Sequence, residues 1–347
     1  MFNHRFFLFI TVTACFSLLS CAQKSSSRYT VAFYNTENFF DTKDNPDKDD
    51  DEFTPYGKNR YTERVYGQKL HNIARVIDQL GTDDDPNGAV FIGLAEVENK
   101  TVLSDLLAQP ELSNRNYRYV IFDGPDPRGI NTALLYDYKR FHLLHAQPLH
   151  VAIKDVDGNE NATRDILFVS GVLGIDTVHV LVNHWPSRRE GADESENKRM
   201  AVAQVDRRVT DSLLNRNASA KIIIMGDLND DPDNESVVNG LKTVADKSAA
   251  VNGNLFNPWF NIYRSGTGTL LFSHHWDLFD QIIISSGLIK SSKGHLQFSK
   301  ASIFERDFLI TQYGRFRGYP HRSFAGTRWI NGYSDHLPVT LSFEKAR

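Results

Sequence analysis

Apolar and polar positions follow one another along this chain in recognisable blocks. Tyr29–Tyr34 alternates and is rich in β-formers, which predicts a first strand. Asp41–Asn59 is acidic and reads as a loop. Apolar residues then recur at helical spacing at Val65, Leu70, Ile73, Val76, Ile77 and Leu80, with Gly81 as a stop. Ala89–Ala95 is a continuous apolar run, hence a buried strand, and Thr101–Leu107 reads as a short helix. The middle is strand-rich, with Tyr117–Phe122, Thr132–Tyr136, Ile166–Leu173 and Thr177–Val182. A long charged helix is predicted over Asp193–Leu214, with Met200, Val205, Val209 and Leu213 as its apolar stripe. Lys221–Met225 and Gln281–Ser285 are strongly apolar strands, and Pro338–Phe343 alternates and would close a sheet. Strands dominate, with hairpin-like pairs near Asp176. The pattern predicts an α/β sandwich of mixed, largely antiparallel sheets rather than a doubly wound parallel sheet.

The N-terminus stands outside that pattern. Met1-Phe-Asn-His-Arg5 is a short basic start, and Phe6–Leu19 carries no charge. The run falls short of the ~20 apolar residues of a spanning helix, so it reads as an export signal. Leu18-Leu19-Ser20-Cys21 resembles a bacterial lipobox, in which the cysteine becomes the lipidated first residue; a plain secretory signal is the rival. The expected organisation is a signal over 1–20, a polar tether over 21–28 and one domain over 29–347. The expected location is the bacterial envelope, exported and held to a membrane through lipid on Cys21. Cys15 leaves with the signal, so the folded part has no disulfide and no thiolate metal site.

Charge narrows the partners. Without Arg5 the chain has 38 basic and 43 acidic residues, and Asp41–Glu52 alone holds seven acids against two lysines. The remainder is close to neutral. That excludes the strongly basic footprint of a dedicated nucleic-acid binder. The acidic loop lacks the glycine and spacing of an EF-hand and reads as solvated.

Polar groups end the apolar runs at separate places: Asn35 and Glu37, Glu96, Asp227 and Asn229, and Asp335-His336. Such a carboxylate set suits a hard cation such as Mg²⁺. Each piece has a plain reading too. Glu96 could cap the helix at Thr101, Asn35 could be a turn residue, and Asp227 could make an Asx turn beside Asp230, Asp231 and Pro232. An extended backbone would place Asn35 and Glu37 on one face, and Asp227 and Asn229 on another. His336 has two candidate acidic partners, Asp280 and Asp277, of which Asp280 directly precedes an apolar strand.

Taken in order, these motifs resemble the endonuclease/exonuclease/phosphatase superfamily, which includes DNase I, apurinic endonucleases, sphingomyelinases and inositol polyphosphate 5-phosphatases. The resemblance covers Tyr29–Phe343. It implies a DNase I-like four-layer sandwich of two mixed, largely antiparallel sheets flanked by helices. It implies that Glu96 is the principal ligand of Mg²⁺, with Mn²⁺ or Ca²⁺ as substitutes. Asn35 would position metal and phosphate, Asp335 would add a metal contact, and Glu37 would be a metal or supporting carboxylate. Asp227 would orient or deprotonate the attacking water, and Asn229 would hydrogen-bond a phosphate oxygen. Asp280 would hold His336, as imidazolium or as base. Arg128-Gly-Ile-Asn-Thr-Ala-Leu-Leu-Tyr136 is similar to the family's Arg-x-Gly…Leu-Tyr strand, with Arg128 on the substrate and Tyr136 on a phosphate oxygen; a half-buried strand tyrosine is the alternative. His184 is similar to the family's phosphate-contacting histidine. Arg188, with Arg189, would grip a second phosphate or line a solvated loop.

Phe308–Ser334 has no acid, four arginines and seven aromatic residues. The mixture suits phosphate gripping and ring stacking, or ordinary packing of arginine stems over rings. Arg315 and Arg317 would reach one side of an extended segment. The expected function is metal-dependent hydrolysis of phosphodiesters by in-line water attack, nuclease-like, on nucleic acid or a small phosphorylated molecule, by a monomer. The alternatives are a phosphatase of a polyphosphorylated small molecule or lipid head group, and a non-catalytic binding lipoprotein on the same fold.

Overall fold

The computed structural model describes residues 1, 28–154, 158 and 160–346. The segments read as an export signal and a tether, with Cys21, lie outside the described residues. Two large sheets use strands β1 (Arg28–Phe39), β2 (Ala89–Val97), β3 (Tyr117–Ile121), β4 (Asn131–Asp137), β5 (Phe141–Leu149), β6 (Ile166–Leu173), β7 (Asp176–His184), β8 (Lys221–Asp227), β9 (Thr243–Val244), β10 (Leu255–Phe256), β11 (Asp280–Ile284), β12 (Leu296–Ile303) and β13 (Val339–Lys345). The first sheet runs β12-β13-β1-β2-β4-β3 and the second β9-β10-β11-β8-β7-β6-β5. Most neighbours are antiparallel. The exceptions are β1 with β2, β7 with β8, and the short pair β9 with β10.

Both faces of each sheet are covered, which explains the near-continuous apolar runs. Along β1, Val31 and Phe33 face the second sheet, while Ala32 and Tyr34 face helices α1 (Glu63–Gln79) and α2 (Lys100–Leu107). Along β8, Ile223 and Met225 face the first sheet, while Ile222 and Ile224 pack with residues of α3 (Ala192–Arg216). The result is the expected four-layer α/β sandwich. The sheets approach most tightly at Gly93, where a Cβ would stand 2.6 Å from Met225 Sδ and 3.1 Å from Val182 Cγ1.

Two edge strands, β5 and β12, were not apparent in the sequence pattern; each has one polar, exposed face. The acidic loop is not simply solvated either. Asp41 and Asp50 are buried and accept backbone N–H groups of Lys43 and Asn45. Among the described residues no helix is long and apolar enough to cross a membrane.

Replacing Gly93 with alanine should cost about 1–3 kcal/mol through overpacking. Urea unfolding monitored by tryptophan fluorescence would show it, and an unchanged midpoint would contradict the close approach of the sheets.

Candidate active site

Each sheet has a central parallel pair, and the carboxyl ends of these pairs meet. β1 and β2 bring Asn35, Glu37 and Glu96; β7 and β8 bring His184 and Asp227. Asn35 Nδ2 donates to Asp227 Oδ2 across the sheets at 2.9 Å. The β1–β2 register breaks between Asn35 and Phe39, and Glu37, Asn38 and Glu96 all have positive φ there, 50°, 55° and 61°. Glu37 therefore does not follow simple strand alternation from Asn35. Asn229 likewise has φ 49°, and its N–H donates to Asp227 Oδ1 at 3.0 Å. The expected Asx turn is present.

Asn99, not Glu96, caps α2, accepting from the N–H groups of Thr101 and Val102. Glu96 is thereby left to the site. Its Oε2 accepts the Asn38 N–H at 2.7 Å and lies 3.6 Å from Arg128 Nη2; its Oε1 lies 3.9 Å from His184 Nε2. Arg128 also donates to Asn38 Oδ1.

The two site histidines are held in opposite states. His336 Nδ1 makes a 2.7 Å hydrogen bond to Asp280 Oδ2, which identifies Asp280 as its partner; Asp277 instead pairs with His275. Burial alone would lower the His336 pKa, but Asp280 and Asp227 outweigh it and hold the ring well above the ordinary histidine value. His184 is pushed well below that value, first by burial and then by Arg164 and Arg128. Its Nε2 faces Glu96 at 3.9 Å and Asp227 Oδ2 at 3.7 Å, two acceptors that favour the tautomer protonated there. Its buried Nδ1 has no hydrogen-bond partner among the described residues. Asp227 is raised to about 6, chiefly by burial, with His336 opposing.

The donor set fits a divalent cation. Glu37 is pushed up to about 7, first by burial and then by the charge of Asp335, with Lys69 only partly offsetting. Glu37, Asp335 and Glu96 are the hard oxygen donors that Mg²⁺ or Mn²⁺ takes, and all three act on the buried Lys69. Among the described residues, the group whose ligand atoms all lie within 4.8 Å of one another is Asp227, Asp280 and His336. A His336 ring held protonated has no lone pair for a metal, so that trio is better suited to proton handling.

Four expectations meet a different local geometry. Tyr136 pairs with Phe91 in the β2–β4 register, five residues before Glu96, and lies in the inter-sheet core against Phe141. It is the strand tyrosine of the plainer reading, at the other end of the β2–β4 pair from Glu96. Arg188 turns inward to Asp230, Asp231 and Asn234, with Nε on the Asn229 carbonyl, so its charge is already spent. Arg315 and Arg317 do not share an extended segment, because the Arg317 N–H closes a turn onto the Gly314 carbonyl. Asn229 uses its side-chain N–H on the Trp185 carbonyl at 2.9 Å.

Two residues escaped the sequence reading. Arg164 donates to the carbonyls of His184 and Trp185, fixing the end of β7. Lys69, fully buried, donates to the Glu37 and Tyr333 carbonyls at 2.8 and 3.2 Å and to Ser323 Oγ. Ser323 N–H in turn donates to Glu37 Oε2 at 2.6 Å, and Arg322 holds Asp335 at 2.7 Å. Lys69 thus ties the segments that carry Glu37 and Asp335. It sits four residues after Val65 and four before Ile73, so a lysine inside an apolar helical stripe was its signal.

At pH 7, nitrogen-detected NMR of the histidine rings should find His336 protonated on both nitrogens and His184 neutral. The stabilisation from the His336 pairing is complete below the ordinary histidine pKa of ~6.5 and fades as pH rises through the raised folded value. A neutral His336 at pH 7 would contradict the pairing. Lys69→Met should lower the unfolding free energy by roughly 2 kcal/mol, because buried carbonyls lose their donor. It should also speed amide exchange across residues 322–335; unaltered exchange there would show that Lys69 does not anchor this arm.

The sequence pattern of the Endonuclease/Exonuclease/phosphatase family matches residues 30–345. No functionally curated protein matches the chain. Among solved structures, D. rerio TDP2 complexed with a single-strand DNA product has a TM-score of 0.53 at 12% identity, covering 92% of this chain and 100% of that one. The human Nocturnin catalytic domain with bound sulfate has a TM-score of 0.52 at 15% identity, with 92% and 95% covered. An endonuclease/exonuclease/phosphatase from Bacteroides vulgatus has a TM-score of 0.55 at 10% identity, with 92% and 99% covered. At these identities the likeness is one of fold. The family pattern spans nearly the whole described domain, so the chain belongs to the Endonuclease/Exonuclease/phosphatase family and is a phosphoester hydrolase.

Proposed function

We propose that the protein is a Mg²⁺- or Mn²⁺-dependent phosphodiesterase, nuclease-like in its chemistry and lipid-anchored through Cys21 at the bacterial envelope. The observation that carries the catalytic part is the setting of Asp227. Its carboxylate is fixed by the Asn35 amide and the Asn229 N–H, with His184 Nε2 at 3.7 Å and His336 Nε2 at 3.9 Å from Oδ2. A base whose value lies near 6 can take a proton from water at neutral pH.

In this reading water attacks phosphorus in line and passes its proton to Asp227. The His184 Nε2–H and the charged His336 ring donate towards the phosphate oxygens, where negative charge builds up. Arg128, 3.6 Å from Glu96, meets the substrate from the other side. A divalent cation held by Glu96, with Asn35, Glu37 and Asp335 beside it, would polarise the phosphate and stabilise the leaving oxygen. Nuclease-like action is supported by the single-strand DNA product held by D. rerio TDP2, a protein of the same fold.

The test is turnover of bis-p-nitrophenyl phosphate beside p-nitrophenyl phosphate. The diester should be cleaved, EDTA should abolish cleavage, and Mg²⁺ or Mn²⁺ should restore it. Glu96→Gln should lower kcat/KM on the order of 10²-fold, recovered in part by excess metal. Monoester cleavage alone would favour a phosphatase. Turnover that survives EDTA would sink the metal-dependent mechanism.

A further inference from the structure

A groove of about 740 Å³ opens beside Asp335. One wall is the turn around Arg315 and Phe316, and the other is the hairpin joining Leu270–Phe272 to His275–Asp277. Leu270 also bridges to His336, so the hairpin is attached directly to the catalytic segment. The hairpin tip, Ser273 and His274, has positive φ at both residues, 47° and 66°. It is held to the opposite wall by Tyr319 OH, which accepts the His274 N–H at 3.1 Å.

The lining combines exposed rings with free positive charge. Phe272, Tyr313 and Phe316 are 70%, 87% and 44% exposed, although large apolar side chains rarely gather in water without a purpose. Phe316 and Tyr319 meet edge to face at 5.6 Å. Arg315, Arg322 and Arg328 line the same space. Arg322 is engaged by Asp335, whereas among the described residues no carboxylate pairs with Arg315 or Arg328. Rings interleaved with guanidinium groups form a stacking platform with phosphate anchors. An aliphatic lipid tail would not call for that many cations, and a volume in the range of small-molecule sites matches one base with its phosphate.

We infer that this groove binds an unpaired nucleotide flanking the scissile phosphate. Its base stacks on Phe316 and Phe272, and its own phosphate sits on Arg315 and Arg328. This rests on the phosphodiesterase reading and gives it a substrate class: single-stranded nucleic acid of at least two nucleotides.

The experiment uses the full chain in EDTA, so that no turnover occurs, and a fluorescent ten-residue oligothymidylate. Anisotropy should show binding that weakens about tenfold in Phe316→Ala, the loss of one stacked base. Arg315→Gln should reduce the slope of log affinity against log salt by about 0.7, one phosphate contact. Tyr138→Ala removes an exposed ring near Asp137, at the other end of β4 from the site, and should change nothing. A matching duplex should bind at least tenfold more weakly. Duplex binding of equal strength, binding indifferent to Phe316→Ala, or Phe316-dependent capture by phosphatidylglycerol vesicles would overturn the assignment. If bis-p-nitrophenyl phosphate is cleaved yet oligothymidylate does not bind, the groove assignment fails and the phosphodiesterase reading stands. Phe316-dependent binding without diester cleavage would remove the catalytic reading and, with it, the scissile phosphate that the assignment needs.

Discussion

The hydrogen bond from Asn35 to Asp227 spans the two sheets, and the other site groups take their places from the closure it marks. Each sheet contributes a parallel pair whose carboxyl ends point to the same edge of the sandwich. The inter-sheet core of Val31, Phe33, Val180, Val182, Ile223 and Met225 brings those ends together. Gly93 lets the sheets approach just beneath Glu96. A slip of one residue in β1 or β8 would turn Asn35 or Asp227 to the helical side, so the apolar alternation of these strands also sets the register of the chemistry.

Environment then divides labour among groups of the same type. His184 and His336 are both buried, yet arginines surround the first and carboxylates the second. The first is a neutral donor and the second a fixed positive charge. Among the acids, Asp280 is committed to His336, Asp227 is shared between an amide and a backbone N–H, Glu37 accepts the Ser323 N–H and feels the Lys69 charge, and Asp335 is held by Arg322. Burying this many charges is tolerable only because nearly every one has a partner. Glu37 remains raised to about 7, first by its burial and then by Asp335, which is where a divalent cation would relieve it.

Much of this was legible in the chain because both faces of the central strands are covered. β1, β2, β8, β11 and β13 announce themselves by apolar composition, and the polar residues at their ends mark the site. The edge strands β5 and β12 did not, since an exposed face dilutes the pattern. The periodicity arguments failed where the backbone leaves the strand region: positive φ at Glu37 and Asn229 replaces alternation with turns. The phosphate role of Tyr136 came from the resemblance of its strand to the family's, whereas the β2–β4 register sets it opposite Phe91, away from the end that carries Glu96. Arg188 was misjudged although Asp230 and Asp231 were in plain view, because pairing depends on how the loop folds back. Lys69 was readable as a charge in an apolar stripe, but its partners come from residues 37, 323 and 333, which only the tertiary fold brings together.

The most direct test of the account is an anomalous difference map from a crystal of the protein soaked in Mn²⁺. A single strong peak bound to the Glu96 carboxylate, on the side of Glu37 and Asp335, is the predicted result. A peak seated among Asp227, Asp280 and His336, with none at Glu96, would contradict the division between cation-holding and proton-handling groups on which the mechanism rests.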